Sequence, residues 1–227
     1  MEDSRRKIDK TALGIVGMPG AGKTTAAKAI SDLGYPVISM GDIVREEALK
    51  RGMKLTADVM NTFIHKIRQE EGPTIVAEKC LAKCRALDGP LIAIEGIRSL
   101  EEILLFRKSF RHFVLVAIKA PRERRFQNLR SRGREDDPKC LEDLEIRDSE
   151  EKRLGLSQAL NVADVVIENV GGPEDLKDKM KLLLGRLGFG SYRSEGSGFP
   201  ESHGRPGKGF EGSKEPCSHR NLRGISP

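Results

Sequence analysis

Gly17-Met18-Pro19-Gly20-Ala21-Gly22-Lys23-Thr24 decides how this 227-residue chain is read. Two glycines flank four residues, then a lysine and a hydroxyl residue follow. That is the pattern of a loop whose backbone wraps a phosphate, because glycine lets the chain approach the anion and take positive φ. Ala12 to Val16 before it reads as a buried strand, and Lys23 to Leu33 after it as a helix. The loop's N–H groups and the positive end of that helix would therefore face an anion. In this pattern Gly17 to Lys23, with Thr24 and Thr25, form a nucleoside-triphosphate site. Lys23 reaches the β/γ-phosphates and the Thr24 hydroxyl helps to hold Mg²⁺.

Outward from the loop, short apolar strands alternate with helices. Tyr35 to Ile38 predicts a second strand, Leu91 to Ile94 a third, Phe113 to Ile118 a fourth and Val165 to Ile167 a fifth. Helices are predicted between them, with Thr56 capping one, Ser99 and Glu102 forming a capping box on another, and Pro121 and Pro173 opening two more. Alternation of this kind gives an α/β fold: a three-layer arrangement with a five-stranded parallel sheet covered by helices on both faces. Residues 1–11 read as a mobile lead-in, 12–187 as one domain, and 188–227 as a disordered tail rich in Gly, Ser, Pro and charge. Phe189, Phe199 and Phe210 are too sparse to build a core there.

Composition narrows the class. The formal net charge of +6 divides into +2 on the tail and +4 on the rest, which a small anionic ligand explains as well as a nucleic acid. Nucleic acid is therefore not an expected partner. No apolar run approaches the roughly 20 residues of a membrane span, and four cysteines without a secretory leader suggest reduced thiols in the cytoplasm. Their spacing does not suit zinc. The four histidines are scattered without partners at catalytic spacing. Nothing in the composition sets an oligomeric state.

Two further segments sit at predicted strand ends, where parallel sheets bind ligands. Ser39-Met40-Gly41-Asp42-Ile43-Val44-Arg45 leaves the second strand, and Glu95-Gly96-Ile97-Arg98 leaves the third. Asp42 suits either a helix cap or a group that orients a hydroxyl acceptor. Glu95, ending a buried strand, is placed to orient a metal-bound water.

With these segments and the phosphate loop, the chain resembles the nucleoside-monophosphate kinases of the adenylate kinase superfamily. That resemblance implies that Asp42 and Arg45 open acceptor-binding helices at about 42–71, and that Arg45 and Arg98 grip the acceptor. Ala163-Asp164-Val165-Val166-Ile167-Glu168-Asn169 resembles dephospho-coenzyme A kinase instead, whose matching aspartate lies beside the acceptor hydroxyl, as Asp42 would. Residues 12–187 as a whole most closely resemble a group of archaeal P-loop nucleotide kinase-like proteins. The arginines from Arg122 onward read as a helix leading into a short lid at about 130–147, with Arg132 and Arg134 closing over the triphosphate and Arg147 returning. Asn128 stands where relatives commonly carry arginine. The implied activity is Mg²⁺- and ATP-dependent phosphoryl transfer to a small anionic acceptor, either a nucleoside monophosphate or dephospho-coenzyme A. A slow ATPase switch acting on a protein or RNA partner is the alternative.

Overall fold

A computed structural model describes residues 7–134 and 137–190. Among them, five strands form one parallel sheet in the order β2-β3-β1-β4-β5. The strands are β1 (Ile8–Val16), β2 (Val37–Ser39), β3 (Leu91–Glu95), β4 (Phe110–Lys119) and β5 (Val165–Glu168). Helices cover both faces. On one lie α1 (Lys23–Ser31) and α9 (Pro173–Arg186), packed together over Leu13, Ile15, Val116 and Ile118. On the other lie α2 (Met40–Lys50), α3 (Ala57–Glu71), α4 (Ile75–Ala86), α5 (Leu100–Ser109) and α8 (Leu156–Asn161), over Ala12, Val16, Ile92 and Ile94. The apolar residues of β1 and β3 thus go alternately into two cores, as strands buried on both faces must. Two more helices, α6 (Arg122–Arg132) and α7 (Leu141–Arg153), cross the carboxyl edge of the sheet.

Local sequence explains most boundaries. Ser99 accepts from the Glu102 N–H while the Glu102 carboxylate accepts from the Ser99 N–H, so the predicted capping box opens α5. Gly133, at φ 63°, closes α6 where only a residue without Cβ turns easily left-handed.

Three boundaries differ from the sequence reading. The lead-in expected over 1–11 is already strand from Ile8: that side chain is buried and pairs with Phe110, and the Lys10 ammonium bonds the Leu87 carbonyl at the end of α4. These contacts come from residues about 75–100 positions away, which a local pattern does not register. The six-residue α8 was not anticipated, being too short for a periodic signal. The expected tail also starts late, because Phe189 donates its N–H to Leu184 O at 2.8 Å and sets its ring edge-on to Tyr35 at 6.0 Å. Residues 1–6, Glu135, Asp136 and 191–227, the last holding the rest of the expected tail, lie outside the described residues.

Candidate active site

Sheet register gathers the predicted segments at one edge. Glu95 pairs with Ile15 on one side and with Ser39 on the other, so β1, β2 and β3 release their chains side by side. The 17–24 loop leaves β1, Gly41-Asp42 follows β2, and Gly96-Ile97-Arg98 follows β3.

The loop is held from behind. Asn128 donates to Gly20 O at 2.8 Å, Arg125 to Pro19 O at 3.1 Å and Asn169 to Ala21 O at 2.8 Å. The Lys23 ammonium donates to Gly17 O at 2.7 Å and Met18 O at 3.1 Å. With its carbonyls taken by these donors, the loop has backbone N–H groups left to offer an anion, as an anion nest does. Gly20 (φ 76°) and Gly22 (φ 109°) make this possible: a Cβ on Gly20 would run into the Arg125 carbonyl, and one on Gly22 would lie 2.6 Å from Asn169 Nδ2.

The cavity before the loop measures about 590 Å³ and is lined by Pro19, Gly20, Gly22, Lys23, Thr24 and Thr25 together with Asp42, Arg45, Glu95, Arg98, Arg132 and Arg134. Gly17, Met18 and Ala21 do not line this cavity, and their carbonyls accept from Lys23 and Asn169. A second cavity, of about 730 Å³, opens between α2, α3 and α7. Gly41, Asp42, Arg45, Arg98, Arg134, Arg147 and Glu151 line both, forming a neck between them.

Burial pushes the Lys23 ammonium down to a pKa of about 8, against the pull of Glu151 and Glu95. Burial likewise raises the Glu95 carboxyl, with Asp42 adding to the rise; Lys23 and a hydrogen bond from Ser39 oppose it. Asp42 does not cap its helix. The helix starts at Met40 and Ser39 is the cap, accepting the Asp42 N–H, so the capping role expected of Asp42 falls to Ser39 and the Asp42 carboxylate pairs with Arg45. Thr24 carries an exposed hydroxyl at the first turn of α1.

The arginine segments expected to form a lid meet at one carboxylate. Asp137 accepts Arg132 Nε at 3.0 Å and the Arg134 N–H at 3.0 Å, and it lies 3.5 Å from Arg147 Nη1. Burial raises the Asp137 carboxyl but these contacts outweigh it, and the group sits below its ordinary range.

Several pairings here are not legible in the sequence. Arg125 forms a two-pronged pair with Asp148 of α7 at 2.8 and 2.6 Å. Glu151, one turn further on, accepts Arg98 Nε at 2.8 Å. Fully buried Glu102 accepts the Arg98 N–H at 2.9 Å and pairs with Arg68 at 2.6 Å. Asn169 leaves its Oδ1 buried without a partner. Only the spacing of Arg147, Asp148 and Glu151 on one face of α7 hints at such roles in the sequence. Among the described residues, no cluster of three His, Cys, Asp or Glu side chains could cage a metal by itself.

A parallel sheet in the order 2-3-1-4-5, with a glycine-rich loop between β1 and α1 and an arginine-lined neck above it, defines a P-loop kinase-like domain. The comparisons agree: the AAA-domain family model matches residues 16–144, more than half of the chain. The chain belongs to this family, and it also belongs with the UPF0200 proteins. The UPF0200 protein of Pyrococcus horikoshii is 42% identical over 177 residues, which are 76% of this chain and 95% of that one. The UPF0200/UPF0201 protein of Archaeoglobus fulgidus is 38% identical over 183 residues, 79% of this chain but 57% of that longer protein. Among solved structures, TT1252 from Thermus thermophilus matches with a TM-score of 0.52 at 23% identity, covering 79% of this chain and 99% of that one.

Proposed function

We propose that the protein is an ATP-dependent small-molecule kinase that transfers the γ-phosphoryl group to a nucleotide-type acceptor, a nucleoside monophosphate or dephospho-coenzyme A. The observation that carries this reading is the neck, where Arg45, Arg98, Arg134 and Arg147 stand on both cavities at once. A triphosphate seated on residues 17–25 points its terminal phosphate toward that neck, and the acceptor enters from the larger cavity. The acceptor oxygen attacks the γ-phosphorus as the bond to the β,γ-bridging oxygen breaks. ADP leaves, and the proton of a hydroxyl acceptor passes to a carboxylate, for which Asp42 is our assignment.

Each side chain then has a task. Lys23 neutralises the β/γ oxygens, while Arg132 and Arg134 stabilise charge that develops late. Arg45 and Arg98 orient the acceptor. The Thr24 hydroxyl with the Glu95 carboxylate offers an all-oxygen pair in one cavity, which suits Mg²⁺ held largely through water. When bound, Mg²⁺ supplies further neutralisation of the triphosphate. No described helix is long and apolar enough to cross a membrane.

The test is phosphoryl transfer from Mg²⁺–ATP to AMP, CMP, UMP, GMP, dephospho-coenzyme A and water, with the products separated. A new phosphorylated acceptor is the expected result. Equal slow ADP release with every acceptor and with water would replace this reading by that of an ATPase switch.

A further inference from the structure

The guanidinium best placed to grip an acceptor in the neck already has an anion on it. Arg98 Nε donates to Glu151 Oε2 at 2.8 Å, and the two side chains are only 29% and 12% exposed. Arg45 is also paired, with Asp42, but that carboxylate is 65% exposed and water can take its place. The enclosed Arg98–Glu151 pair has no such substitute.

Both ends of the pair are anchored. The Arg98 backbone is fixed by Glu102, itself fully buried and bound to Arg68 of α3. The Glu151 helix is fixed one turn earlier by the Asp148–Arg125 pair behind the phosphate loop. Glu151 also faces Lys23 and Arg147: burial pushes its carboxyl up, but the three cations hold it below the usual carboxylate range, so it is ionised. Toward the Lys23 ammonium it acts more strongly than Glu95 does. A fixed negative charge therefore stands among the neck arginines, next to Arg98.

This charge discriminates between kinds of acceptor. A phosphate monoester that reaches Arg98 either shares one guanidinium with a carboxylate or strips an enclosed carboxylate of its partner. Stripping it leaves a buried charge uncompensated, and sharing sets two anions side by side in an enclosed place, so both are unfavourable. An alcohol brings no charge and meets neither cost. Beyond the neck, the larger cavity offers Leu55, Met60, Ile64 and Leu154 to an uncharged body. Selection by an unfavourable encounter is a general route to specificity.

We propose that Glu151 is a specificity-determining residue: it bars acceptors that present a phosphate to Arg98 and admits an alcohol, whose apolar part lies along Leu55, Met60, Ile64 and Leu154. The proposal rests on the kinase reading above and decides between its two acceptor types in favour of a hydroxyl.

The donor cavity is first filled with Mg²⁺ and AMP-PNP, and AMP and adenosine, which differ only in the phosphate, are then titrated by calorimetry. In the wild-type protein adenosine is expected to bind at least as well as AMP. Glu151→Gln is expected to bind AMP at least tenfold more tightly than wild type, beyond any change in its AMP-PNP affinity, while Glu151→Asp stays close to wild type. AMP binding tenfold or more above adenosine in the wild type overturns the proposal, with no need of a variant. So does a Glu151→Gln gain no larger than that for AMP-PNP, or an equal gain in Glu151→Asp, which would make the effect one of packing. If AMP-PNP itself does not bind the wild type, the kinase reading fails together with this proposal; if AMP-PNP binds and the AMP pattern is absent, only this proposal fails.

Discussion

At the scale of the residue, Lys23 carries the most consequence. Its ammonium, folded back on the Gly17 and Met18 carbonyls, titrates at about 8 rather than 10.5 because burial strips it of water. The unfolded chain keeps that proton to higher pH, so this group makes the ligand-free protein more stable as pH rises from about 8 toward 10.5. A triphosphate reverses the balance by favouring the charged form. Binding of ATP at pH 9 should therefore take up a proton and that at pH 6.5 should not. Calorimetry in buffers of different ionisation enthalpy reads this directly, and a heat independent of buffer at pH 9 would count against Lys23 as the phosphate ligand. Lys23→Met should lower phosphoryl transfer by at least about 100-fold, with an unchanged circular dichroism spectrum. Gly20 makes a separate demand on the backbone. At φ 76° an alanine costs roughly 1–2 kcal/mol in conformation alone, and its methyl would also displace α6 at the Arg125 carbonyl. A measurably lower melting temperature for Gly20→Ala is expected.

At the scale of the element, α7 joins three separate segments. Arg147, Asp148 and Glu151 reach respectively to Asp137, to Arg125 behind the phosphate loop, and to Arg98 at the neck. One helix thereby ties Asp137, the glycine-rich loop and Arg98 together. The Arg125–Asp148 pair is 8% and 14% exposed, so removing one partner leaves a charge without compensation. Asp148→Ala should cost about 3–5 kcal/mol in urea unfolding and weaken AMP-PNP binding as well. The double variant Arg125→Met/Asp148→Leu should recover much of the stability but not the affinity, because the Pro19 carbonyl has lost its donor. Additive losses in the double variant would show that the pair is not coupled.

At the scale of the whole molecule, the parallel register brings three strand ends to one edge, and the C-terminal turn closes the opposite core. Phe189 against Tyr35, with Tyr35 Oη donating to Gly190 O at 2.7 Å, fastens that turn. Truncation after Gly190 should leave phosphoryl transfer and melting temperature unchanged. Truncation after Leu187 should lower stability by about 0.5–1.5 kcal/mol through loss of the aromatic contact. Equal stability of the two truncations would show that the turn contributes nothing. Ligand linkage provides a check at the same scale: AMP-PNP at about 100 times its dissociation constant should raise the unfolding free energy by about 2.7 kcal/mol.

What the sequence determined by itself is whatever depends on near neighbours along the chain. The Gly17–Thr24 pattern, the Ser99–Glu102 capping box, the apolar runs at 91–94 and 113–118 and the strand–helix alternation are all local, and they suffice for a parallel three-layer fold with a loop facing an anion. The segments following β2 and β3 were legible as well, because parallel strands end on one side. Tertiary structure decided the pairing of charges. Nothing in the spacing of Arg98 and Glu151, or of Arg125 and Asp148, marks them as partners, since these contacts exist only when α7 lies across the carboxyl edge of the sheet. The same holds for Ile8 and Phe189, whose burial is set by strands and helices far away in sequence. Charge pairing weakens with distance and is screened beyond about 10 Å, and only the fold says which residues come that close.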